Sequence, residues 1–536
     1  MLASRRDSDA NNDCETLPPL GAIVARIDSA YEIGDYEQAI RLIEQDFIAA
    51  WFGMMPMRLA EIVQVLVRHN PPKGRFIETI HDSFFAGNLA DTDGMLDSGK
   101  TLNDRVSQVA QRPANGGFPA VTAHALVNLL KLRMAGRPVE ALRLAQEIEP
   151  HENLLQQAFG SVAGWGLFVT VQQGITAMYA GNFPLALQKF EQARTYFVPE
   201  PLAFLRRDAT LKAALIEALY GDTERAKQLL EEAELVPHCG SWVEVELDSA
   251  TKIVRALTGG LAADQALEML ETIPGNELGE LWPVYLDALR RVLVDLGKPA
   301  EIAPRLAAYE QLQSVGSAGE GYTGSTIPLI RTLNAVLRGD VVEAREKLAD
   351  ADQSIVLTQV VSALVELASA RPREALSKAL SLRDQTRGLR LLNLWRLAAT
   401  AGGHLALGSE EDCRETLEFA LRQSGRVRPS DLMVFSAEVR SFAENKLPDW
   451  PKLEQPADGA DILQGYRIFP DGGSTLTERE LELLRSLAGD RTREEIAASM
   501  FISINTLKAH QRSLYRKLKV KSRAGAVLEL ERRGLH

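Results

Sequence analysis

The sequence predicts an all-α protein in which a long run of helix hairpins precedes a small four-helix domain. Three observations carry that expectation. From about residue 26 to 445, apolar residues recur at three- and four-residue spacing, and no alternating Val/Ile/Thr-rich run reads as a strand. Through the same region a glycine is followed five positions later by a small residue, at Gly34/Ala39, Gly136/Ala141, Gly181/Ala186, Gly221/Ala226, Gly339/Ala344 and Gly408/Cys413. At the C-terminal end, short apolar stripes follow Thr477, Thr492, Ser503 and Ser522, each placed to cap a helix.

Residues 1–25 are polar and expected to be loose; no apolar run follows Arg5 and Arg6, so a secretory signal is not expected. In residues 26–445 the repeated glycine has access to the left-handed conformation that ends a helix, and the small residue lets the returning helix pack closely. Weaker versions of the turn stand at Gly259-Gly260, Gly297-Lys298-Pro299 and Ala370-Arg371-Pro372. The turns then recur about every forty residues, the period of a solenoid; an irregular helical bundle with glycines at ordinary helix ends is the alternative. Between Glu152 and Lys189 no residue is charged, but Gln172, Gln173 and several glycines interrupt the stretch, so a buried helix is expected rather than a membrane span. From 446 to 474, Pro448, Pro451, Pro456 and Pro470 with Gly459, Gly465, Gly472 and Gly473 predict a linker, within which 462–469 is apolar enough to pack on a neighbour.

The whole chain carries 60 Lys/Arg against 72 Asp/Glu, a net charge of −12 that taken alone disfavours nucleic acid. The total conceals a local reversal. Residues 475–536 hold 13 basic and 8 acidic side chains, or +5, while the remainder carries −17. Cys14, Cys239 and Cys413 lie far apart with no CxxC pair, which fits a reducing compartment and offers no metal framework. No Ser/His/Asp, Cys/His or HExxH grouping supports catalysis, so neither an enzyme nor a bound cofactor or metal is expected.

In the domain at 475–536, Thr477 and Glu480 read as a capping box flanked by a Leu476/Leu481 staple, and Leu483, Leu484 and Leu487 continue a buried stripe. Thr492 and Glu495 repeat the box before Ile496, Ala497, Ala498 and Met500. Ser503 is placed to cap a third helix running to about Leu518. Its inward stripe is Leu507, Leu514 and Leu518, and Asn505, Lys508, Ala509, Arg512 and Arg516 fall on the opposite face. Ser522 opens a fourth helix through Val527, Leu528 and Leu530. Between Ser503 and Arg523 stand seven basic residues and no acidic one: Lys508, Arg512, Arg516, Lys517, Lys519, Lys521 and Arg523. That is an electrostatic footprint for phosphates.

Leu476-Thr477-Glu478-Arg479-Glu480, Glu495-Ile496-Ala497, Phe501-Ile502-Ser503, Thr506-Leu507-Lys508-Ala509-His510, Tyr515-Arg516-Lys517-Leu518 and Lys521-Ser522-Arg523 resemble, in order and spacing, the LuxR/GerE-type helix-turn-helix. The resemblance covers nearly all of 475–536, with departures at Arg493, Lys519 and Gly525. It implies that Lys508, Ala509 and Arg512 face base edges in the major groove and that Thr506, His510, Lys517 and Ser522 contact the DNA backbone. His510 equally suits half-buried packing. Asn505, Arg516, Lys521 and Arg523 complete the DNA-facing set. Segments such as Gly181-Asn182-Phe183-Pro184-Leu185-Ala186-Leu187 resemble tetratricopeptide-like repeats and the helical region of MalT-type regulators, here without the ATPase domain those carry. Together the resemblances imply a cytoplasmic transcription regulator on double-stranded DNA, a homodimer or higher oligomer on paired half-sites with its fourth helix as a contact surface. RNA polymerase is a further expected partner, an effector (small molecule or protein) is expected at the repeats, and no membrane partner is expected.

Two other readings stay open. One is a helical scaffold whose C-terminal domain docks on protein. The other is a nucleotide-driven switch at Gly94-Met95-Leu96-Asp97-Ser98-Gly99-Lys100-Thr101, which matches GxxxxGK[ST] but follows no apolar strand and sets Asp97 inside the phosphate cradle. Val292-Leu293-Val294-Asp295 imitates the partner strand of such a site, yet its place before Gly297 predicts helical core.

Overall fold

Each glycine and small-residue pair marks a tight turn between two packed helices in the computed structural model, which describes residues 17–69, 76–85, 128–148, 162–258, 260–312, 320–424, 428–451, 466–468, 478–489, 491–518 and 520–532. Among the described residues all regular structure is helical. The pairs run Leu20–Glu32 with Tyr36–Gln45, Trp165–Tyr179 with Phe183–Thr195, Ala203–Tyr220 with Thr223–Glu234, and Glu244–Thr258 with Ala263–Glu271. They continue as Trp282–Asp295 with Ile302–Leu312, Gly321–Arg338 with Val341–Ala349, Val356–Ala368 with Pro372–Ser381, and Arg390–Ala406 with Glu410–Ser424.

The local chemistry of the turns explains the recurrence. Gly34, Gly136, Gly181, Gly339 and Gly408 have φ between 73° and 83°, the left-handed conformation that ends the first helix. Ala39, Ala141, Ala186, Ala226, Ala344 and Cys413 are fully buried, where the returning helix presses against its partner. The residue between them starts the second helix: Asp35, Asn182, Asp222 and Asp340 accept the backbone N–H of Gln38, Leu185, Arg225 and Glu343. Gly221 departs from the expected conformation, with φ −108°. Glycine is required there for a different reason: the Glu217 carboxylate folds into the space a Cβ would take and accepts the Asp222 N–H at 2.7 Å.

Two boundaries differ from those read in the sequence. The first helix starts at Leu20, inside the stretch expected to be loose, because Leu20, Ile23, Ile27 and Ala30 form a buried stripe directly after Pro19. In the expected linker, Leu447 and Trp450 are buried, and Tyr466 and Ile468 return to the repeat core at 2% and 1% exposure. Tyr466 Oη donates to the Val434 carbonyl at 3.1 Å and the Ala437 N–H donates to the Tyr466 carbonyl at 3.0 Å. Residues 447–450 thus extend the helical body past the expected boundary, and Tyr466 and Ile468 pack on it as expected of 462–469. The charge-free stretch contains the helix Trp165–Tyr179, buried at every position but Gly166. Val292, Leu293 and Val294 are buried in the helix Trp282–Asp295. Among the described residues no helix is long and apolar enough to cross a membrane. The phosphate-loop match at 94–101 lies outside the described residues.

The pairs are wound tightly. The first helix of each pair from Trp165 onward touches the first helix of the next, and helices also meet across the axis: Trp165–Tyr179 touches Gly321–Arg338, and Ala203–Tyr220 touches Arg390–Ala406. One apolar core runs from Leu20 to Ile468 as a result. The C-terminal domain has a separate core and lies on the repeats through the helix Arg523–Arg532 against Val341–Ala349, with Ala370 packed on its edge.

Candidate nucleic-acid interface

The C-terminal domain holds four helices, Glu478–Leu487, Arg493–Ser499, Ile504–Lys517 and Arg523–Arg532. Its core is made by Leu483, Leu484, Leu487, Ile496, Ala497, Met500, Leu507, Leu514, Leu518, Ala526 and Leu530. The capping box expected at Thr492 is formed in both directions: Glu495 N–H donates to Thr492 Oγ1 at 3.2 Å, and Thr492 N–H donates to Glu495 Oε2 at 2.8 Å. The box expected at Thr477 and the Leu476/Leu481 staple lie outside the described residues and side chains.

The turn that aims the third helix is sharply defined. Phe501 adopts φ +55°, and the Ile502 N–H returns to the Ala497 carbonyl at 3.0 Å, closing the second helix in a Schellman arrangement with a phenylalanine where glycine is usual. Ser503 Oγ then accepts the Thr506 N–H at 3.1 Å and starts the third helix as expected. One side-chain bond ties that helix to the first, and a second braces its own inner face. Ser513 Oγ donates to Glu480 Oε1 at 2.8 Å, and the buried Gln511 donates through Nε2 to Tyr515 Oη at 3.0 Å. Sequence reasoning missed the Ser513–Glu480 bond, because Glu480 was assigned to a cap and a serine in mid-helix carries no signal of its own.

With Leu507, Leu514 and Gln511 turned inward, the outer face of the third helix presents Asn505, Thr506, Lys508, Ala509, Arg512 and Arg516, all exposed. Lys521 and Ser522 continue it, also exposed, and Ser522 Oγ accepts the Gly525 N–H at 3.1 Å. His510 is half-buried at the margin of this face. The side chain of Lys517 and all of Lys519 lie outside the described residues. Arg523 is turned the other way. Its guanidinium donates to the carbonyls of Leu487 at 2.9 Å, Arg491 at 2.8 Å and Gly489, so it closes the C-terminal end of the first helix instead of joining the cationic face. Leu528, expected in the apolar stripe, is 68% exposed on the fourth helix.

The arrangement is a helix with a polar, cationic outer face free of acidic side chains, of a diameter that B-form DNA admits in its major groove. Exposed Lys and Arg at 508, 512 and 516 share one helical face, so phosphates and base edges can be met together.

Residues 474–530 match the family model described as bacterial regulatory proteins, luxR family, GerE. The chain is similar to the nitrate/nitrite response regulator protein NarP of Escherichia coli, 48% identical over 65 residues, which is 12% of this chain and 30% of that protein. It is similar to the spore germination protein GerE of Bacillus subtilis, 46% identical over 59 residues, 11% of this chain and 80% of that protein. A longer, weaker match joins it to the HTH-type transcriptional regulator AlkS of Pseudomonas putida, 24% identical over 133 residues, 24% of this chain and 14% of that protein. The chain thus spans under a third of the length of the nitrate/nitrite regulator.

Proposed function

The chain belongs to the luxR family of bacterial regulatory proteins through its C-terminal domain, and from that premise we propose that the whole protein is a cytoplasmic, DNA-binding transcription regulator. The single observation that supports the reading best is the exposed face of the helix Ile504–Lys517, on which Lys508 and Arg512 point away from every core residue of the domain. In this reading Lys508, Ala509 and Arg512 meet base edges, and Thr506, His510, Lys517, Ser522, with Arg516 and Lys521, hold the backbone. Arg523 leaves that set for a supporting role. Pairing of two copies on adjacent half-sites supplies the contacts one small domain lacks, and the outward Leu528 on the fourth helix is the natural place for such pairing. The residues at 26–445 with their packed extension form the sensor or interaction body, and RNA polymerase is a partner on the promoter.

The test is a titration of labelled duplexes containing a promoter enriched from the source genome, and the same duplexes scrambled, by the full chain at several salt concentrations. Specific binding that weakens steeply with salt is the expected result. Equal, weak binding to all duplexes at low salt would instead favour the protein-docking scaffold.

A further inference from the structure

The turn that joins Pro372–Ser381 to Arg390–Ala406 carries arginines without the acids that accompany them in the rest of the body. Residues 382–396 hold Arg383, Arg387, Arg390 and Arg396 against the single carboxylate of Asp384, in a body whose net charge is −17. Four other buried arginines each lean on an acid: Arg133 on Glu280, Arg207 on Glu244, Arg290 on Asp287 and Arg291 on Asp431. Arg390 follows that rule, with Asp222 at 2.5 Å. Arg396 does not.

Arg396 is 5% exposed. Its Nε donates to Asn393 Oδ1 at 2.9 Å and its Nη1 to the Ala379 carbonyl at 3.4 Å, and no carboxylate among the described residues pairs with it. The Ala379 carbonyl stands in the last turn of Pro372–Ser381 and offers only the partial negative charge of a helix end. Nη2 bonds to none of the described residues and is not sealed from solvent, so it takes up the small exposure the residue retains. Burial and the neighbouring Arg383 guanidinium both push the Arg396 pKa below the ordinary arginine value. An arginine keeps its charge all the same, and a buried charge without a counter-ion is costly.

The groups beside it are donors as well. Arg396 Nε has only a proton to offer, so Asn393 turns Oδ1 toward it and Nδ2 away, and Nδ2 bonds to none of the described residues. Thr386 Oγ1 stands 3.3 Å from the same Oδ1 and donates to the Leu382 carbonyl at 3.0 Å, which pins the turn on this amide. Arg383 and Arg387 are exposed and form no ion pair among the described residues, not even with Asp384 in the same turn. Three unpaired guanidinium groups outweigh one carboxylate, a balance that suits a doubly charged oxyanion better than a singly charged one. Duplex DNA fits less well: its backbone phosphates reach exposed cations and not a recessed one, and the acidic body repels it. We propose that the turn 382–389 with Asn393 and Arg396 is a binding site for the phosphoryl group of a small phosphorylated molecule or for free phosphate. Arg396 Nη2 and Asn393 Nδ2 hold the anion from the protein side, and Arg383 and Arg387 from the solvent side. The part such a ligand would play as effector rests on the regulatory reading above; its binding does not.

Calorimetric titration of the full chain with inorganic phosphate and glucose 6-phosphate, and with glucose as the uncharged counterpart, tests the site at about 0.15 M salt. Saturable binding of the phosphates and none of glucose is expected; tighter binding of the sugar phosphate marks an organic phosphate as the occupant, and tighter binding of inorganic phosphate marks the free ion. Arg383→Ala combined with Arg387→Ala, both on the surface, should weaken binding about tenfold at an unchanged melting temperature. Arg396→Gln should abolish it, and if that variant fails to fold the surface pair decides alone. No saturable binding of either phosphate, or parental affinity in the folded surface variant, overturns the site and leaves the DNA-reading domain untouched. Weaker duplex binding by the surface variant, with neither phosphate bound by the parent, makes the turn a DNA contact and equally overturns the site. Saturation by phosphate with no change in DNA affinity keeps the site and ends its part as effector.

Discussion

Arg523 and Asp287 show how far a side chain's partners decide its role. In composition Arg523 is one of seven cations in a row, but its donors are engaged by three backbone carbonyls at the end of the first C-terminal helix. Arg523→Ala is therefore expected to destabilise the C-terminal domain by about 1–3 kcal/mol, seen as an earlier thermal or urea transition, while Lys521→Ala leaves stability unchanged and weakens DNA binding. Equal effects of the two on stability would contradict the assignment. Asp287 is buried, and burial alone would raise its pKa, but Arg290 and Arg291 together with the Tyr220 hydroxyl hold it below the ordinary carboxylate value. Because the folded value is the lower one, the stabilisation from its ionisation is complete above the unfolded carboxylate pKa and is lost as pH falls through the folded value. Melting temperature measured across the acid range should fall less steeply in Asp287→Asn than in the parent.

The helix Ile504–Lys517 is the element on which sequence and structure agree most closely. Its cap at Ser503, its inward leucines and its exposed cationic face were all legible, because each rests on residue type at a spacing of three or four. What rotates it into place was not legible: the left-handed Phe501 and the Ser513–Glu480 bond depend on groups brought together only by folding. At this scale Arg512→Ala should reduce discrimination between cognate and scrambled duplexes by ~1–3 kcal/mol. Lys517→Ala should weaken both alike. Parental binding of every duplex by both variants would mean that another face of the helix meets DNA.

Across the whole molecule the charge is partitioned, −17 on the body and +5 on the C-terminal domain. In the proposed reading that partition disfavours contact between the acidic repeats and DNA and leaves attraction to the exposed Lys508, Arg512, Arg516 and Lys521. With Arg516, Lys517 and Lys521 on phosphates, the logarithm of the binding constant should then fall against the logarithm of salt with a slope of about −3 for each bound domain. A slope near zero would remove phosphate contacts from the account.

The repeating turns, the helical class and the cationic helix followed from the amino-acid order, since helix caps, glycine turns and amphipathic spacing are set by neighbours within a few residues. Long-range packing decided the rest. It brought helices of non-adjacent pairs into contact, chose the repeat core as the neighbour on which Tyr466 and Ile468 pack, and turned Arg523 onto backbone carbonyls. It also gathered Tyr220, Asp287, Tyr322 and Trp395 around one narrow gap. Residues up to 175 positions apart meet there because the first helices of non-adjacent pairs touch, and that packing is a sum over many helix contacts, which no short stretch of sequence encodes.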